Sequence, residues 1–369
     1  MAHAIRLAER GIYSTHPNPN VGCVIVNQGA VVGMGWHGQA GGPHAEVFAL
    51  REAGKKAHGA DVFLSLEPCS HQGRTPPCAD ALVDAGVKRV VVAMQDPNPL
   101  VAGKGLERLR AAGIVVETGL LEAQAQALNP GFISRMQQAR PWIRVKLAGS
   151  LDGRTAMASG ESRWITGDAA RRDVQRLRAR SSAIVTGIGT ILADDPSMNV
   201  RMDAAQLHGV EPVRQPLRVV LDTQLRMPVQ AKMLSLPGTT LIVTGVTDDE
   251  RWQLLQRTGA EVVAVEKAGG HLQPEAVARL LAEREINEVL LECGPTLAGA
   301  FLKAGLVDEL IVYIAPHIMG DSARGLFHLP GLEQMQDRIA LEWLDIRQVG
   351  DALRITARPE TKQGESGKV

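Results

Sequence analysis

The sequence predicts an α/β protein built of two domains, on the strength of three observations. With 369 residues the chain is longer than one ordinary domain. Short runs rich in Val, Ile and Leu alternate with segments of helical periodicity along nearly its whole length. Aromatic residues make up only 3% of the chain, so the cores must consist of Leu, Val, Ile and Ala, which is usual for parallel sheets covered by helices.

The first series of predicted elements extends from residue 4 to residue 116. It opens with a helix at residues 4–10, and the prolines of His16-Pro17-Asn18-Pro19-Asn20 exclude a helix from the next segment. The elements that follow are strands at 21–26, 31–34, 62–66, 90–94 and 115–116, and helices at 45–53, 79–85 and 105–112. This alternation indicates a sheet that is buried on both faces.

A second series begins near Pro141 and has the same character. Its predicted elements are strands at 142–147, 183–186, 218–221, 240–243, 262–263, 289–292 and 309–315, and helices at 169–178, 249–256, 274–283 and 296–302. Residues 201–216 have loop composition, and the polar residues 361–369 are expected to fray. We therefore predict one domain at 1–141, a second at 142–360 and a flexible tail at 361–369.

Charge and hydropathy exclude several functional classes. Lys and Arg together number 40, as do Asp and Glu, so no bulk field attracts nucleic acid or an anionic membrane. No apolar run reaches the roughly 18 residues of a spanning helix, and residues 1–10 lack the apolar stretch of a signal peptide. We expect a cytoplasmic protein with no nucleic-acid and no membrane partner. In that reducing compartment the four cysteines are metal ligands or buried apolar residues rather than disulfides.

One His, one Glu and two Cys follow one another at a spacing that predicts a metal site. His44 and Glu46 begin a predicted helix, Cys69 follows a strand, and eight residues separate Cys69 from Cys78. Hydrolytic zinc needs three protein ligands and one open position for water, and His44, Cys69 and Cys78 supply the three. Glu46 is then the group that moves protons. The alternatives are a structural zinc closed by His71 as fourth ligand, and a core with incidental cysteines.

These residues resemble the cytidine-deaminase superfamily, whose signature is H-x-E followed by P-C-x-x-C. The longer run here, Glu67-Pro68-Cys69-Ser70-His71-Gln72-Gly73-Arg74-Thr75-Pro76-Pro77-Cys78, is similar to the riboflavin-pathway deaminases, as is His16-Pro17-Asn18-Pro19-Asn20-Val21-Gly22-Cys23 upstream. The resemblance implies a three-layer domain of the cytidine-deaminase type, with zinc held by His44, Cys69 and Cys78 and with Glu46 as the catalytic residue. Arg74 either holds an anion or sugar edge or is a solvated loop residue.

The second half carries no G-x-G-x-x-G dinucleotide fingerprint after a strand. Gly294-Pro295-Thr296 starts a predicted helix, where free N–H groups either bind phosphate or form an ordinary helix cap. Three segments resemble the reductase half of the same bifunctional riboflavin family, which is similar to dihydrofolate reductase and binds NADPH without that fingerprint. They are residues 146–156, Gly160-Glu161-Ser162-Arg163-Trp164-Ile165-Thr166, and Asp194-Asp195-Pro196.

The resemblance also implies ligand positions in the second half. Cofactor positions fall on Ala148, Trp164, Thr190, Asp194, Thr223, Gly294, Pro295, Thr296, Leu297, Ala298, Gly299 and Ala300. Substrate positions fall on Ser162, Arg178, Met198, Arg201 and Glu292. Arg178 and Arg201 suit a clamp on a ribose phosphate, because guanidinium binds phosphate bidentately. A core position remains the alternative for Trp164. Asp194 and Lys146 either orient the opened sugar, or donate a proton to it, or are structural.

The resemblance, which covers residues 4–358, implies a bifunctional enzyme with Zn²⁺ and NADPH as cofactors. Its deaminase would convert 2,5-diamino-6-(5-phosphoribosylamino)pyrimidin-4(3H)-one to the aminouracil, and its reductase would turn the ribosyl group into a ribityl chain. We expect small-molecule pyrimidine ribose-phosphate substrates and a homo-oligomer. One alternative is a nucleoside or tRNA deaminase with a C-terminal specificity domain. The other is a zinc-stabilised assembly or regulatory module without catalysis.

Overall fold

The computed structural model describes residues 1–70, 77–99, 101–247 and 250–360. The chain forms two compact units. The first comprises residues 1–141, 204–212 and 285–287, and the second comprises 142–203, 213–284 and the residues from 288 onward. Both units combine sheets with helices, which confirms the predicted α/β class. Within the described part of the chain, no helix is both long enough and apolar enough to cross a membrane.

The first unit is built on a five-stranded sheet. Its strands are β1 (Gly22–Asn27), β2 (Ala30–Trp36), β3 (Asp61–Leu64), β4 (Arg89–Val92) and β5 (Val115–Thr118). Its helices are α1 (Ala2–Ala8), α2 (Ala45–Ala53), α3 (Cys78–Asp84), α4 (Lys104–Ala111), α5 (Glu122–Leu128) and α6 (Pro130–Gln138). The order is β2-β1-β3-β4-β5, with β1 antiparallel to β2 and β3 and the other pairs parallel.

Close backbone contact fixes helix α2 against strand β2. Gly33 and Gly35 lie on β2, and a Cβ atom on either one would stand 2.2 Å from the carbonyl oxygen of Ala49 or Ala45, respectively. No side chain fits in that space, so only glycine permits this approach. The first turn of α2, which carries Glu46, is therefore held firmly beside the end of β2.

The buried carboxylate of Glu67 organises the segment that leads into α4. It accepts hydrogen bonds from the backbone N–H groups of Asp96, Gly103 and Gly105, at 3.1, 3.0 and 2.9 Å. A Cβ atom on Gly105 would stand 2.1 Å from the carbonyl oxygen of Pro68. The start of α4 thus packs directly on the segment that follows β3.

The second unit is built on a nine-stranded sheet. The strands of this unit are β6 (Trp142–Ser150), β7 (Arg154–Ala156), β8 (Ala183–Gly187), β9 (Leu217–Leu221), β10 (Thr240–Thr244), β11 (Glu261–Ala264), β12 (Lys267–Ala268), β13 (His271–Leu272), β14 (Glu288–Glu292), β15 (Glu309–Ala315), β16 (Arg324–Gly325), β17 (Leu341–Val349) and β18 (Ala352–Pro359). Its helices are α7 (Asp168–Arg180), α8 (Ile188–Asp194), α9 (Glu250–Arg257), α10 (Pro274–Glu283) and α11 (Pro295–Lys303).

The large sheet has the order β11-β10-β9-β8-β14-β6-β15-β18-β17, and β7 pairs separately with β16. The pairs from β11 to β15 are parallel, while β18 and β17 continue the sheet antiparallel. Parallel pairing brings the carboxyl ends of neighbouring strands to one edge of the sheet, and α8 and α11 begin there, directly after β8 and β14. Ligand sites in α/β sheets lie at such an edge.

Candidate active sites

In the first unit, three side chains converge at the helix starts beside the sheet. His44 is the N-cap residue of α2 and Cys78 is the first residue of α3. The Nδ1 atom of His44 lies 3.6 Å from the Sγ atom of Cys69 and 3.3 Å from that of Cys78. The three ligand atoms all lie within 4.8 Å of one another. The structure thus brings together the three residues that the spacing predicted.

This donor set fits a tetrahedral zinc ion. Zn–S bonds of about 2.3 Å and Zn–N bonds of about 2.0–2.1 Å place a nitrogen and a sulfur ligand roughly 3.6 Å apart. The separations of His44 from the two sulfur atoms are close to that value. One imidazole and two thiols leave a fourth position free for water, as catalytic zinc sites require. His71, the fourth ligand of the structural alternative, and Arg74 lie outside the described residues.

Glu46 lies in the first turn of α2 with 2% of its surface exposed. Its Oε2 atom is buried and has no hydrogen-bond partner within the described residues. Burial raises the pKa of this carboxyl to about 7. A buried carboxyl with a free oxygen, two residues from the His44 ligand position, is suited to accept and release protons near neutral pH.

The thiolate form is favoured at Cys69 and the thiol form at Cys78. The Cys78 thiol donates to Cys69, and together with the His44 ring and the Cys78 N–H group, 3.3 Å from Cys69 Sγ, this lowers the pKa of Cys69 to about 4. The pKa of Cys78 is raised because its thiol is the donor and is buried. A thiolate is thus already stabilised where a metal ligand is needed.

His37, which the sequence did not indicate, packs against the ring of His44. Its Nδ1 atom lies 3.1 Å from the carbonyl oxygen of Pro43, and its Nε2 atom lies 3.0 Å from the amide nitrogen of Asn18. Its ring meets that of His44 edge to face at 5.4 Å. Burial lowers the pKa of His37, so the neutral imidazole is favoured, with Nδ1 donating to Pro43 and Nε2 accepting from Asn18.

The second unit contains a cavity of about 910 Å³ at the carboxyl edge of its large sheet. All five predicted substrate residues line it: Ser162, Arg178, Met198, Arg201 and Glu292. Most predicted cofactor residues line it as well: Ala148, Trp164, Thr190, Asp194, Gly294, Pro295, Thr296 and Leu297. The start of α11 therefore borders the same space, and a helix N-terminus is a common place for phosphate binding.

Four predicted cofactor residues do not line this cavity: Thr223, Ala298, Gly299 and Ala300. Ala298 is fully buried. A Cβ atom on Gly299 would stand 2.1 Å from the carbonyl oxygen of His328, so this glycine serves close packing of α11. For these residues the predicted cofactor contact stays a prediction.

A buried ionic cluster forms one wall of the cavity. Arg178 donates from Nε to Glu292 Oε1 at 2.6 Å and from Nη2 to Glu292 Oε2 at 3.0 Å. Lys146 is the β6 partner of Glu292 in the sheet. Burial by itself would raise the pKa of Glu292. The positive charges of Arg178 and Lys146 outweigh this effect, so the pKa of Glu292 is lowered. Burial is also the main cause of the lowered pKa of Lys146.

The loop between β7 and α7 also lines the cavity. The Nη2 atom of Arg163 donates to the backbone carbonyl oxygen of Asp194 at 3.0 Å and to the carboxylate of Asp194 at 3.3 Å. Trp164 is 73% exposed, which excludes the alternative of a core position. The guanidinium carbon of Arg171 lies 4.5 Å from the centroid of its ring.

Each half of the chain matches the model of a known protein family. Residues 1–94 match the model of the cytidine and deoxycytidylate deaminase zinc-binding region, and residues 141–354 match the RibD C-terminal domain. The riboflavin biosynthesis protein RibD of Escherichia coli K12 is 53% identical over 355 residues, which are 95% of this chain and 96% of that protein. The chain belongs to the RibD family.

Solved structures agree with this membership over nearly full length. Acinetobacter baumannii RibD, form 1, is 48% identical with a TM-score of 0.90 and covers 98% of each chain. The diaminohydroxyphosphoribosylaminopyrimidine deaminase/5-amino-6-(5-phosphoribosylamino)uracil reductase of Thermotoga maritima is 32% identical with a TM-score of 0.85 and covers 97% of each chain.

The RibD membership settles the predicted class of protein. The chain is a bifunctional enzyme of riboflavin biosynthesis, with a zinc-dependent deaminase of the cytidine-deaminase type and an NADPH-dependent reductase of the dihydrofolate-reductase type. The alternative of a nucleoside or tRNA deaminase is not favoured, because the C-terminal half matches the RibD reductase. A module without catalysis is excluded on the same ground.

Proposed function

We propose that the chain catalyses two successive steps on a pyrimidine that bears a ribose phosphate. The first removes the 2-amino group of 2,5-diamino-6-(5-phosphoribosylamino)pyrimidin-4(3H)-one, and the second reduces the ribosyl group of the resulting 5-amino-6-(5-phosphoribosylamino)uracil to ribityl. The observation that carries the first step is the convergence of His44, Cys69 and Cys78 beside a buried carboxyl oxygen of Glu46 that has no partner in the described chain.

In the deamination, His44, Cys69 and Cys78 would hold zinc, which would supply Lewis-acid activation of water. Glu46 accepts the proton of the attacking water and delivers it to the ring nitrogen as the new C–O bond forms at the amine-bearing carbon. It then transfers the second proton of that water to the leaving amine. The C–N bond breaks, ammonia departs, and the carbonyl of the uracil remains. Burial of Glu46 matches its pKa to this double role.

In the reduction, NADPH bound in the cavity would supply a hydride for C1′ of the sugar. The C1′–O4′ bond breaks and O4′ takes up one proton, so that NADPH and one proton are consumed for each ribityl chain formed. Lys146, Arg178 and Glu292 form one connected cluster on the cavity wall and orient the sugar. The start of α11 binds cofactor phosphate through its N–H groups.

We assign the deaminase to residues 1–141 and the reductase to 142–360; the flexible tail that the sequence predicts at 361–369 lies outside the described residues. We further propose a cytoplasmic homo-oligomer that acts on small molecules.

One experiment tests both steps. The purified chain is incubated with the diaminopyrimidine phosphate and NADPH, and ammonia release and NADPH oxidation are followed together. We expect both products in equal amounts at completion, with ammonia released first. Release of ammonia without any NADPH oxidation, with NADPH in excess and the aminouracil present, would contradict the second step. Oxidation of NADPH with no ammonia from the diamino compound would contradict the proposed order.

A further inference from the structure

The reductase cavity carries an excess of positive charge. Among its lining residues are five cations and two carboxylates, a net excess of three positive charges: Lys146, Arg171, Arg178, Arg201 and Arg324 against Asp194 and Glu292. Both ligands of the proposed reaction are anionic, and guanidinium groups bind phosphate through paired hydrogen bonds. The cations that are not already neutralised by neighbouring groups are therefore candidates for phosphate contacts.

Several of these cations already have protein partners. Arg178 forms its paired contact with Glu292, and Arg171 donates to the carbonyl oxygen of Thr166 at 2.9 Å and to Asp168. The positive charges of Lys146 and Arg201 act on Glu292 and lower its pKa. These side chains thus serve, wholly or in part, to balance charge within the wall.

Arg324 differs from Arg171 and Arg178, whose guanidinium groups have protein partners. Across the part of the chain that the structure describes, its guanidinium takes part in no hydrogen bond or ion pair, although it lines the cavity. Its Nη2 atom lies beside the loop that carries Ser162 and Trp164, because a Cβ atom on Gly160 would stand 3.2 Å from it. The lack of a side chain at Gly160 leaves space in which the guanidinium lies against this loop.

The backbone around Arg324 pairs with β7, with a register shift between Arg324 and Gly325. Arg324 pairs with Ala156 between β16 and β7, and the next pair joins Gly325 to Arg154. Leu326 N–H donates to the carbonyl oxygen of Gly153 at 3.1 Å. The backbone position of this exposed cation is thus defined, and binding of an anionic ligand has to order only the Arg324 side chain.

We propose that Arg324 binds a phosphate group of a reductase ligand. This proposal rests on the proposed function and adds a ligand contact to it. The shared chemistry is a phosphomonoester dianion, and two sources present one: the 2′-phosphate of NADPH and the 5-phosphate of the ribosylamino substrate. Arg324 is thus a specificity-determining residue of the second step, in addition to the predicted substrate residues Arg178 and Arg201.

The test uses the full-length chain with Arg324→Met, which removes the charge and keeps much of the side-chain volume, and Arg324→Lys, which keeps the charge without the bidentate fork. Arg257→Met is the matched control, because Arg257 is exposed on α9 and does not line the cavity. Dissociation constants of NADPH and NADH are measured by calorimetry without pyrimidine, and kcat and KM for the aminouracil phosphate are measured separately.

In Arg324→Met, loss of the contact is expected to weaken the binding of one phosphate-bearing ligand roughly tenfold to hundredfold. In Arg324→Lys, the loss of binding should be smaller. Weaker binding of NADPH with unchanged binding of NADH would identify the 2′-phosphate of the cofactor as the group that Arg324 contacts. A raised KM for the aminouracil at unchanged NADPH affinity identifies the substrate phosphate. Values within twofold of Arg257→Met for all ligands would overturn the proposal. If the unmodified enzyme does not reduce the aminouracil at all, the proposed function fails instead.

Discussion

Arg178 and Glu292 form a paired ionic contact across the wall of the reductase cavity, with N–O distances of 2.6 and 3.0 Å. The side chains are 12% and 15% exposed, so the pair is largely withdrawn from solvent. Because Arg178 is already neutralised by Glu292, it has less free positive charge to offer to a phosphate group. Of the two arginines that the sequence predicted as a phosphate clamp, Arg201 is therefore the stronger candidate for direct contact.

Replacement of Arg201 by alanine should impair reduction and leave deamination nearly intact. A charge-assisted hydrogen bond contributes about 1.5–3 kcal/mol, which corresponds to a loss of roughly tenfold to hundredfold in reductase kcat/KM. NADPH oxidation with the aminouracil and ammonia release from the diamino compound are measured on the same preparation. Arg226→Ala, an exposed arginine that does not line the cavity, is the control. A reductase rate equal to that of the control would remove Arg201 from the site.

The chain should contain one tightly bound zinc ion, held by His44, Cys69 and Cys78. Elemental analysis of protein purified without added metal is expected to give near-stoichiometric zinc. Cys78→Ser should lose most of it, because one of three ligands is removed. Cys293→Ser should keep it, since this cysteine lies in the second unit. Full retention of zinc by Cys78→Ser would sink the ligand assignment.

Glu46→Gln should keep zinc and fold while nearly abolishing ammonia release. A general acid–base residue contributes about 10²–10⁴-fold, and one group serves several proton transfers here. The variant should still oxidise NADPH when supplied with the deaminated aminouracil. Glu52→Gln, at an exposed position of the same helix, serves as the control. Normal deamination by Glu46→Gln would show that another group moves the protons.

Arg144→Met should destabilise the second unit strongly. Arg144 is 3% exposed and binds Glu288 at 2.5 Å and Glu309 at 2.8 Å. Removing one partner of a buried ion pair costs about 3–5 kcal/mol, because the other charges stay buried without compensation. Arg284→Met removes the exposed pair with Glu261 and should cost at most about 1 kcal/mol. Urea unfolding measures both changes, and equal losses would contradict the burial argument.

The turn after β6 should lose stability in acid. The Ser150 hydroxyl, with the Met319 and Gly320 N–H groups, holds the pKa of Asp152 at about 2, below its ordinary value of 3.8. A lowered folded pKa means that the stabilisation is present above pH 3.8 and is lost as the pH falls towards 2. The difference in Tm between the parent chain and Asp152→Asn should therefore shrink over that interval. A difference that is constant down to pH 2 would argue against this carboxylate contact.

Local sequence patterns predicted those helices and strands whose hydrophobic pattern can be recognised within the element itself. Helix α2 was predicted at its observed bounds, residues 45–53, and β15 at 309–315. Helix α5 was not predicted, because alternating Ala and Gln give no helical period. The hairpin of β17 and β18 was also missed. It forms the exposed end of the large sheet, where Trp343 and Ile346 are 60% and 57% exposed, so burial does not shape its sequence pattern.

The sequence by itself predicted the metal ligands, because the type and spacing of His44, Glu46, Cys69 and Cys78 are readable along the chain, and it predicted the class of protein through its resemblance to the riboflavin-pathway enzymes. Only the tertiary structure decided what the remaining groups can do. Whether a cation is neutralised or free depends on neighbours that are distant in sequence, as with Arg178, whose partner lies 114 residues away. Electrostatic energy depends on distance in space and on burial, and folding alone sets both.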